Sequence, residues 1–338
     1  MSLEEAAVES EPEEVETGEE EAAEPESQET IQHNFVVESE CHGWRLDRFL
    51  QKKIKRLSRA RIQRVINGDC DVAGRPARPG MRVFTGQAVS FRRPAPPEPE
   101  VPREIGIVHH DPSFYVLEKP AGLPIHPTAR YYHSTLTAVL RERFPDERLQ
   151  VAHRLDRETS GLLLVARDFA AASALKKAFQ RRQIQKRYLA LVHGSIESDE
   201  FVLDQPIGPA GGVVRVRMAV RSLDEGGLPA RTAVTVLRRG GGYTLVECRP
   251  HTGRQHQIRV HLDAIGHPIV GDKLYPDESL FLRWAEGGDE AIAGELPLAR
   301  HALHAAGLRF AHPVSQESVE VTSPLPQDLV AFVAAQKL

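Results

Sequence analysis

Apolar residues along this chain fall in short clusters, and their spacing predicts a different architecture on either side of residue 100. The segments RLDRFLQKKIK (45–55) and SRARIQRVINGD (58–69) read as two short helices. In the second, Ile62, Val65 and Ile66 recur at i, i+3 and i+4 and form an inner face. Ser58 stands where a helix N-cap is wanted, and Gly68 where a left-handed residue would close the helix. Short strands are predicted around Val72, Val83 and Ala88 to Phe91, punctuated by Gly74, Gly80 and Gly86. The result is a helix-helix-hairpin unit over 43–93. Residues 94–102 hold five prolines and predict an extended linker.

Beyond the linker, strand-like runs occur at Ile105–His109, Phe114–Glu118, Gly161–Ala166, Tyr188–Val192, Ala233–Leu237 and Tyr243–Cys248. Helical patterns occur near Thr135–Phe144, Phe169–Arg181 and His256–Ala264. Strands outnumber helices and do not alternate with them. That order predicts an α+β domain over 103–330 with a mixed, largely antiparallel β-sheet, in place of a doubly wound parallel one.

Charge changes the picture at the front of the chain. Residues 1–40 carry 15 Glu and no Lys or Arg, so they are expected to be a disordered acidic tail. Residues 43–93 carry 14 Lys and Arg against Asp47, Asp69 and Asp71, while the rest is balanced. So basic a small unit favours a polyanion, because neutralising phosphates releases counterions. Arg59, Arg61 and Arg64, on or near the second helix, are the candidate contacts. The tail could compete for this surface as a nucleic-acid mimic, or simply solubilise the chain.

Several classes lose support. No apolar stretch reaches the roughly 18 residues of a membrane span, and the N-terminus lacks a basic, apolar export signal. Cys41, Cys70 and Cys248 are odd in number and far apart, which disfavours disulfides or a cysteine zinc site and suits a reducing, cytoplasmic setting. There is no Walker loop or dinucleotide glycine fingerprint, so ATP and NAD dependence are not expected. His251, His256 and His261 are five apart, and on a helix each step of five rotates a side chain by about 140°. They do not converge, and no metal is expected.

The segment HRLDRETSG (153–161) carries the candidate chemistry. Asp156 sits between Arg154 and Arg157, and the apolar run Leu162–Ala166 after Gly161 reads as a buried strand. Neighbouring cations favour the ionised carboxylate, as a nucleophile or base requires. An ordinary structural ion pair looks the same. Tyr188 opens a strand in KRYLALV (186–192), where a Tyr usually packs with its hydroxyl bonded. In HTGRQHQIRVHLDAIGHPIVGD (251–272), a Thr252–Gly253 turn precedes a helix, with Arg254, Ile258 and His261 roughly along one side.

Taken together, HRLDRETSG, KRYLALV, TGRQHQIRVHL (252–262) and the weaker EKPAGLPIHP (118–127) and LHA (303–305) resemble the RluA-type family of pseudouridine synthases. The resemblance covers about 102–330, and the basic unit in front is similar to the S4-like RNA-binding module of longer members. It implies that Asp156 is the catalytic aspartate, Arg254 its ion-pair partner and Tyr188 the active-site tyrosine. Arg154 would fill the space a flipped base vacates. It implies a cofactor-free isomerase acting on RNA, most often large-subunit ribosomal RNA, with transfer RNA as the alternative. Oligomeric state is not readable from the sequence, and a monomer is the expectation. The carboxylate could attack C1′ or C6, or remove a C2′ proton. Glu118 stands where the family often has Asn, and Pro276 where Gly is common after Tyr. A ribosome-assembly factor would not need Asp156, Tyr188 and Arg254 together, and a glycosidase would need a second positioned carboxylate.

Overall fold

The structure, a computed structural model, describes residues 30–54, 59–94, 98–128 and 131–338. The chain divides into two compact units, Met1–Pro97 and Glu98–Leu338.

The first unit contains β1 (Thr30–Val36), α1 (Leu46–Lys53), α2 (Arg59–Asn67), β2 (Asp69–Val72), β3 (Arg75–Pro76) and β4 (Ala88–Pro94). Its sheet runs in the order β1-β4-β2-β3. Leu46, Phe49 and Leu50 of α1 and Ile62 and Ile66 of α2 pack on Val72, Val89 and Phe91 as one buried cluster. This is the inner face the i, i+3, i+4 spacing predicts.

Two expectations change here. Residues 30–40 are not tail: β1 pairs along its whole length with β4, and Val37 and Cys41 are buried. The glutamates in front masked a short apolar alternation whose partner strand is some fifty residues away. The rest of the expected tail, and the Ser58 cap, lie outside the described residues. Gly68 ends α2 by donating to the Arg64 and Val65 carbonyls at 3.1 and 3.3 Å, without a left-handed φ.

The second unit is built on a ten-stranded sheet. In chain order its main elements are β5 (Gly106–His110), β6 (Phe114–Lys119), α3 (Leu136–Arg143), β7 (Ser160–Ala166), α4 (Phe169–Gln180), β8 (Gln185–His193) and β9 (Glu200–Leu203). They continue with β10 (Thr232–Gly240), β11 (Tyr243–Pro250), α5 (Gln257–Ala264), α6 (Glu278–Gly287), β12 (Leu303–Ala311), β13 (Ser318–Thr322) and α7 (Gln327–Ala335). The strand order is β9-β10-β11-β8-β12-β7-β6-β5, with β13 beside β12 and Gln150–Val151 beside β7. Among the described residues the one parallel pairing in this sheet is β7 with β12. The mixed, largely antiparallel sheet is as expected.

The unit is longer than expected at both ends. The Glu98 carboxylate accepts the backbone amides of Tyr132, His133 and Ser134 at 2.6–2.8 Å, so 98–102 belong to this unit rather than to a free linker. At the other end, Leu329, Phe332 and Val333 of α7 join the core under β8 and β11. Tight packing on both faces of β7, and of Ala190, Leu191 and Val192 of β8 in the neighbouring core, leaves the loop ends at their edges as rigid mounts for polar groups.

Candidate active site

Asp156 sits on the loop entering β7, and that loop is fixed from three sides. Lys119, fully buried at the end of β6, donates to the carbonyls of Pro120, Leu123 and Arg157 at 2.7, 2.9 and 3.0 Å. Thr159 and Ser160 bond to His301 and His304 at 2.8 and 2.9 Å. Gly161 has φ +110°, and a Cβ there would lie 2.7 Å from the Ala305 nitrogen and nearer still to its carbonyl oxygen. The final Gly of HRLDRETSG is thus required by the close approach of β12.

Ala305 is the register partner of both Gly161 in β7 and Tyr188 in β8. A register shift between Arg187 and Tyr188 sets the tyrosine opposite Ala305. This row across three strands is how residues 156 and 188 come to line one cleft.

The cation on Asp156 is Arg259, not Arg254. Arg259 Nη1 donates to Asp156 Oδ2 at 3.0 Å, while its Nε and Nη2 grip Asp272 at 2.7 and 2.9 Å. Arg254 instead donates its Nε to the Pro229 carbonyl at 3.0 Å and lines the cleft. The reason is where α5 begins. Thr252 and Gln257 bond to each other and to the backbone of Arg231 and Arg254, and His256 adopts a left-handed φ of 55°. The helix therefore starts at Gln257, which leaves Arg254 on the preceding turn and aims Arg259 inward. The resemblance implies Arg254 for this contact; the structure gives it to Arg259, five residues on in the same motif.

The electrostatics suit an anion. Burial opposes ionisation of Asp156, but His256 when protonated, Arg259 and Arg154 outweigh it and hold the carboxyl below its ordinary value. Burial and Arg259 push His256 down to about 4, so near neutral pH Arg259 is the charged partner in direct contact. Burial, with the charge of Asp156, pushes the Tyr188 phenol well above its ordinary value. Burial lowers Lys186 to about 8, and it donates to the Thr252 carbonyl at 3.1 Å.

Asp156, Tyr188, Arg154, Arg254 and Arg259 all line one cleft of about 610 Å³. Arg154 is exposed on its wall. Asp156 keeps 22% side-chain exposure, enough to be met by a ligand. Arg61 and Arg64 are exposed on α2 of the first unit, whereas the side chain of Arg59 lies outside what is described. The sequence reading missed Arg259, Asp272 and Lys119. All three lie inside segments already singled out, but nothing local marked them off from their neighbours.

The cleft thus joins an ionised carboxylate held by an arginine to a tyrosine kept as its phenol, on a mixed, largely antiparallel sheet. The profile described as RNA pseudouridylate synthase matches residues 113–264. The chain is 36% identical to ribosomal large subunit pseudouridine synthase D of Nitrosomonas europaea, covering 93% of this chain and 90% of that protein. It is 30% identical to synthase C of Vibrio cholerae, covering 87% and 93%. The human RNA pseudouridylate synthase domain containing 1 superposes with TM-score 0.54 at 32% identity, over 71% of this chain and 97% of that one. The chain belongs to the RluA-type family of RNA pseudouridine synthases, and it is an isomerase that converts uridine to pseudouridine in RNA.

Proposed function

We propose that this enzyme modifies uridines of large-subunit ribosomal RNA, with Asp156 as its catalytic carboxylate. The substrate reading is supported by relatives whose names specify that RNA. The assignment of Asp156 is carried by the 3.0 Å contact from Arg259 inside the cleft that Tyr188 also lines.

The reaction breaks N1–C1′, turns the uracil and joins C5 to C1′. A proton leaves C5, N1 regains one, and no redox change or cofactor is involved. Attack at C1′ or C6, or removal of a C2′ proton, each requires the carboxylate as an anion. Arg259, itself immobilised by Asp272, keeps that anion and its orientation ready before the substrate arrives. Tyr188, held as a phenol, serves as a stacking surface and hydroxyl for the detached uracil instead of as a phenolate base.

A uridine within folded RNA must be flipped out, at a cost of a few kcal/mol. Arg154, on the cleft wall, fills the gap by stacking and hydrogen bonding. Arg254, at the rim, contacts the backbone of the bound strand. The first unit serves as an S4-like module that holds flanking RNA through Arg59, Arg61 and Arg64. The enzyme works as a monomer in the cytoplasm, and none of the described helices is long and apolar enough to cross a membrane.

The test uses ribosomal RNA transcripts tritiated at uridine C5. Asp156→Asn should bind them with near-unchanged affinity and release no tritium. Release at the wild-type rate would remove Asp156 from the chemistry, and unmodified sites confined to transfer RNA in cells lacking the enzyme would overturn the substrate.

A further inference from the structure

The mechanism above leaves one group beside the carboxylate unused. His256 Nε2 stands 4.0 Å from Asp156 Oδ2, on the same oxygen that Arg259 holds, and the ring keeps only 10% exposure. Its other nitrogen, Nδ1, lies 3.1 Å from the Tyr275 hydroxyl. Tyr275 is buried, and its oxygen accepts the Met218 amide at 3.0 Å and stands 3.1 Å from the Met218 carbonyl. The ring of Tyr275 also lies under the Arg259 guanidinium at 5.0 Å. His256 thus sits at a left-handed backbone position, an arrangement of the kind that collects at functional sites.

The protons in this chain are constrained. A tyrosine hydroxyl has one hydrogen to give. If it goes to the Met218 carbonyl, Nδ1–H must point at Tyr275, and the Nε2 lone pair then faces an anion. If it goes to Nδ1, Nε2 carries the hydrogen and presents it to Asp156. With Asp156 ionised, the second arrangement is attractive and the first repulsive.

We propose that His256 is a positioning residue for Asp156: its Nε2–H, set by the Tyr275 hydroxyl, is a second donor to the catalytic carboxylate. This rests on the assignment of Asp156 above. At 4.0 Å the pair is longer than a direct hydrogen bond, and it closes when substrate fills the cleft, as catalytic contacts often do. Arg259 divides its nitrogens between Asp156 and Asp272, so it anchors the carboxylate from one side only. His256 supplies the second side, and Tyr275 ties that donor to the strand Met218–Val220.

The experiment measures kcat and KM on the ribosomal transcript, and the pH dependence of kcat/KM, for wild type, His256→Ala, His256→Gln and Tyr275→Phe. The charged groups facing the ring are Asp156, Arg154, Arg259 and Asp272, with His301 as a neutral titratable neighbour, and none of them is altered in these variants. His256→Ala should lower kcat about tenfold or more, the scale of one donor to a charged group, with KM little changed. Its acid limb should move up, because a donor that favours the charged form is gone. Gln, whose amide reaches the Nε2 position, should restore much of kcat. Tyr275→Phe keeps the ring under Arg259 and should shift the limb the same way, by less. Unchanged kcat and acid limb in His256→Ala would overturn the proposal. So would a loss that Gln fails to rescue while Tyr275→Phe behaves as wild type. Asp156→Asn run alongside separates the two readings: if it stays active, the assignment of Asp156 itself has failed.

Discussion

Arg259 binds Asp156 with one nitrogen and Asp272 with the other two, so a single guanidinium joins the cleft to the buried core. Asp272 has no side-chain exposure and also accepts the amides of Leu274 and Tyr275 at 2.9 and 3.2 Å. The fork is therefore oriented before any ligand arrives, and Arg259 is both a structural and a chemical residue.

Removing Arg259 should have two effects that can be separated. Arg259→Ala strands Asp272 as an unpaired buried charge, which costs about 3–5 kcal/mol in stability. Arg259→Lys keeps the charge but cannot span both carboxylates, so it should fold and lose most of kcat. Arg254→Ala should cost less than about 1 kcal/mol in kcat/KM, the scale of one exposed hydrogen bond, and mainly through KM. Steady-state kinetics with thermal unfolding of each variant checks this. A kcat loss in Arg254→Ala equal to that of Arg259→Lys would reverse the assignment of the two arginines.

Gly161→Ala should be among the most damaging single changes in the chain. Its Cβ would press on the Ala305 backbone at a φ of +110°, where a side chain is also strained. The combined cost is on the order of 3 kcal/mol, and it falls on the pairing that brings the Asp156 loop beside Tyr188. Denaturant unfolding of the variant should show a lower midpoint, and any folded fraction should turn over slowly. Wild-type stability would mean that β7 and β12 can part without consequence.

How much of this was readable in the sequence follows from the range of each interaction. The strand β7 and helix α4 are set by local runs, and both were placed to within a residue or so at their start. Gly161 was seen only as punctuation, because its need for bare backbone comes from Ala305, which lies far along the chain. Lys119 sat in a motif already noted, but a lysine facing three carbonyls looks in sequence like any surface lysine. Arg259 and Arg254 share one segment, and the left-handed turn at His256 that decides between them is a tertiary outcome. The cleft joins positions 156 and 188, which local pattern nominates, to 259, which it does not.

Acid should weaken the fold before it protonates the catalytic carboxylate. Burial lowers His153 to about 3 and His304 to about 4. The Leu164 amide donates to His153 Nε2 at 3.1 Å, so a proton there would displace that bond, while burial and the Arg300 charge oppose a second proton on His304. For a base whose folded value is depressed, the unfolded chain binds the proton first. Stability is then intact above the ordinary histidine value, near 6.5, and falls as pH drops from there toward 4. The thermal midpoint should decline through that window, and His304→Gln should decline less steeply. A midpoint flat from pH 7 to 4 would show that these rings take protons without strain.

Arg154→Ala tests the flipping step, and the substrate decides the outcome. Arg154 is exposed on the cleft wall and lies outside the strands of the sheet. Its loss should leave the unfolding midpoint unchanged. On a structured ribosomal transcript the target uridine must leave its stack, which costs a few kcal/mol. A guanidinium that fills the gap offsets part of that cost, so its removal should lower kcat/KM by about a hundredfold, near 2.7 kcal/mol at 1.36 kcal/mol per decade. On a short unpaired oligonucleotide carrying the same target, little stacking has to be broken. The deficit should then shrink to severalfold. Equal deficits on both substrates would mean that Arg154 contacts the RNA uniformly, and the vacated space would need another occupant. A deficit confined to the unpaired oligonucleotide would be still harder to reconcile with gap filling, since nothing there is left to fill.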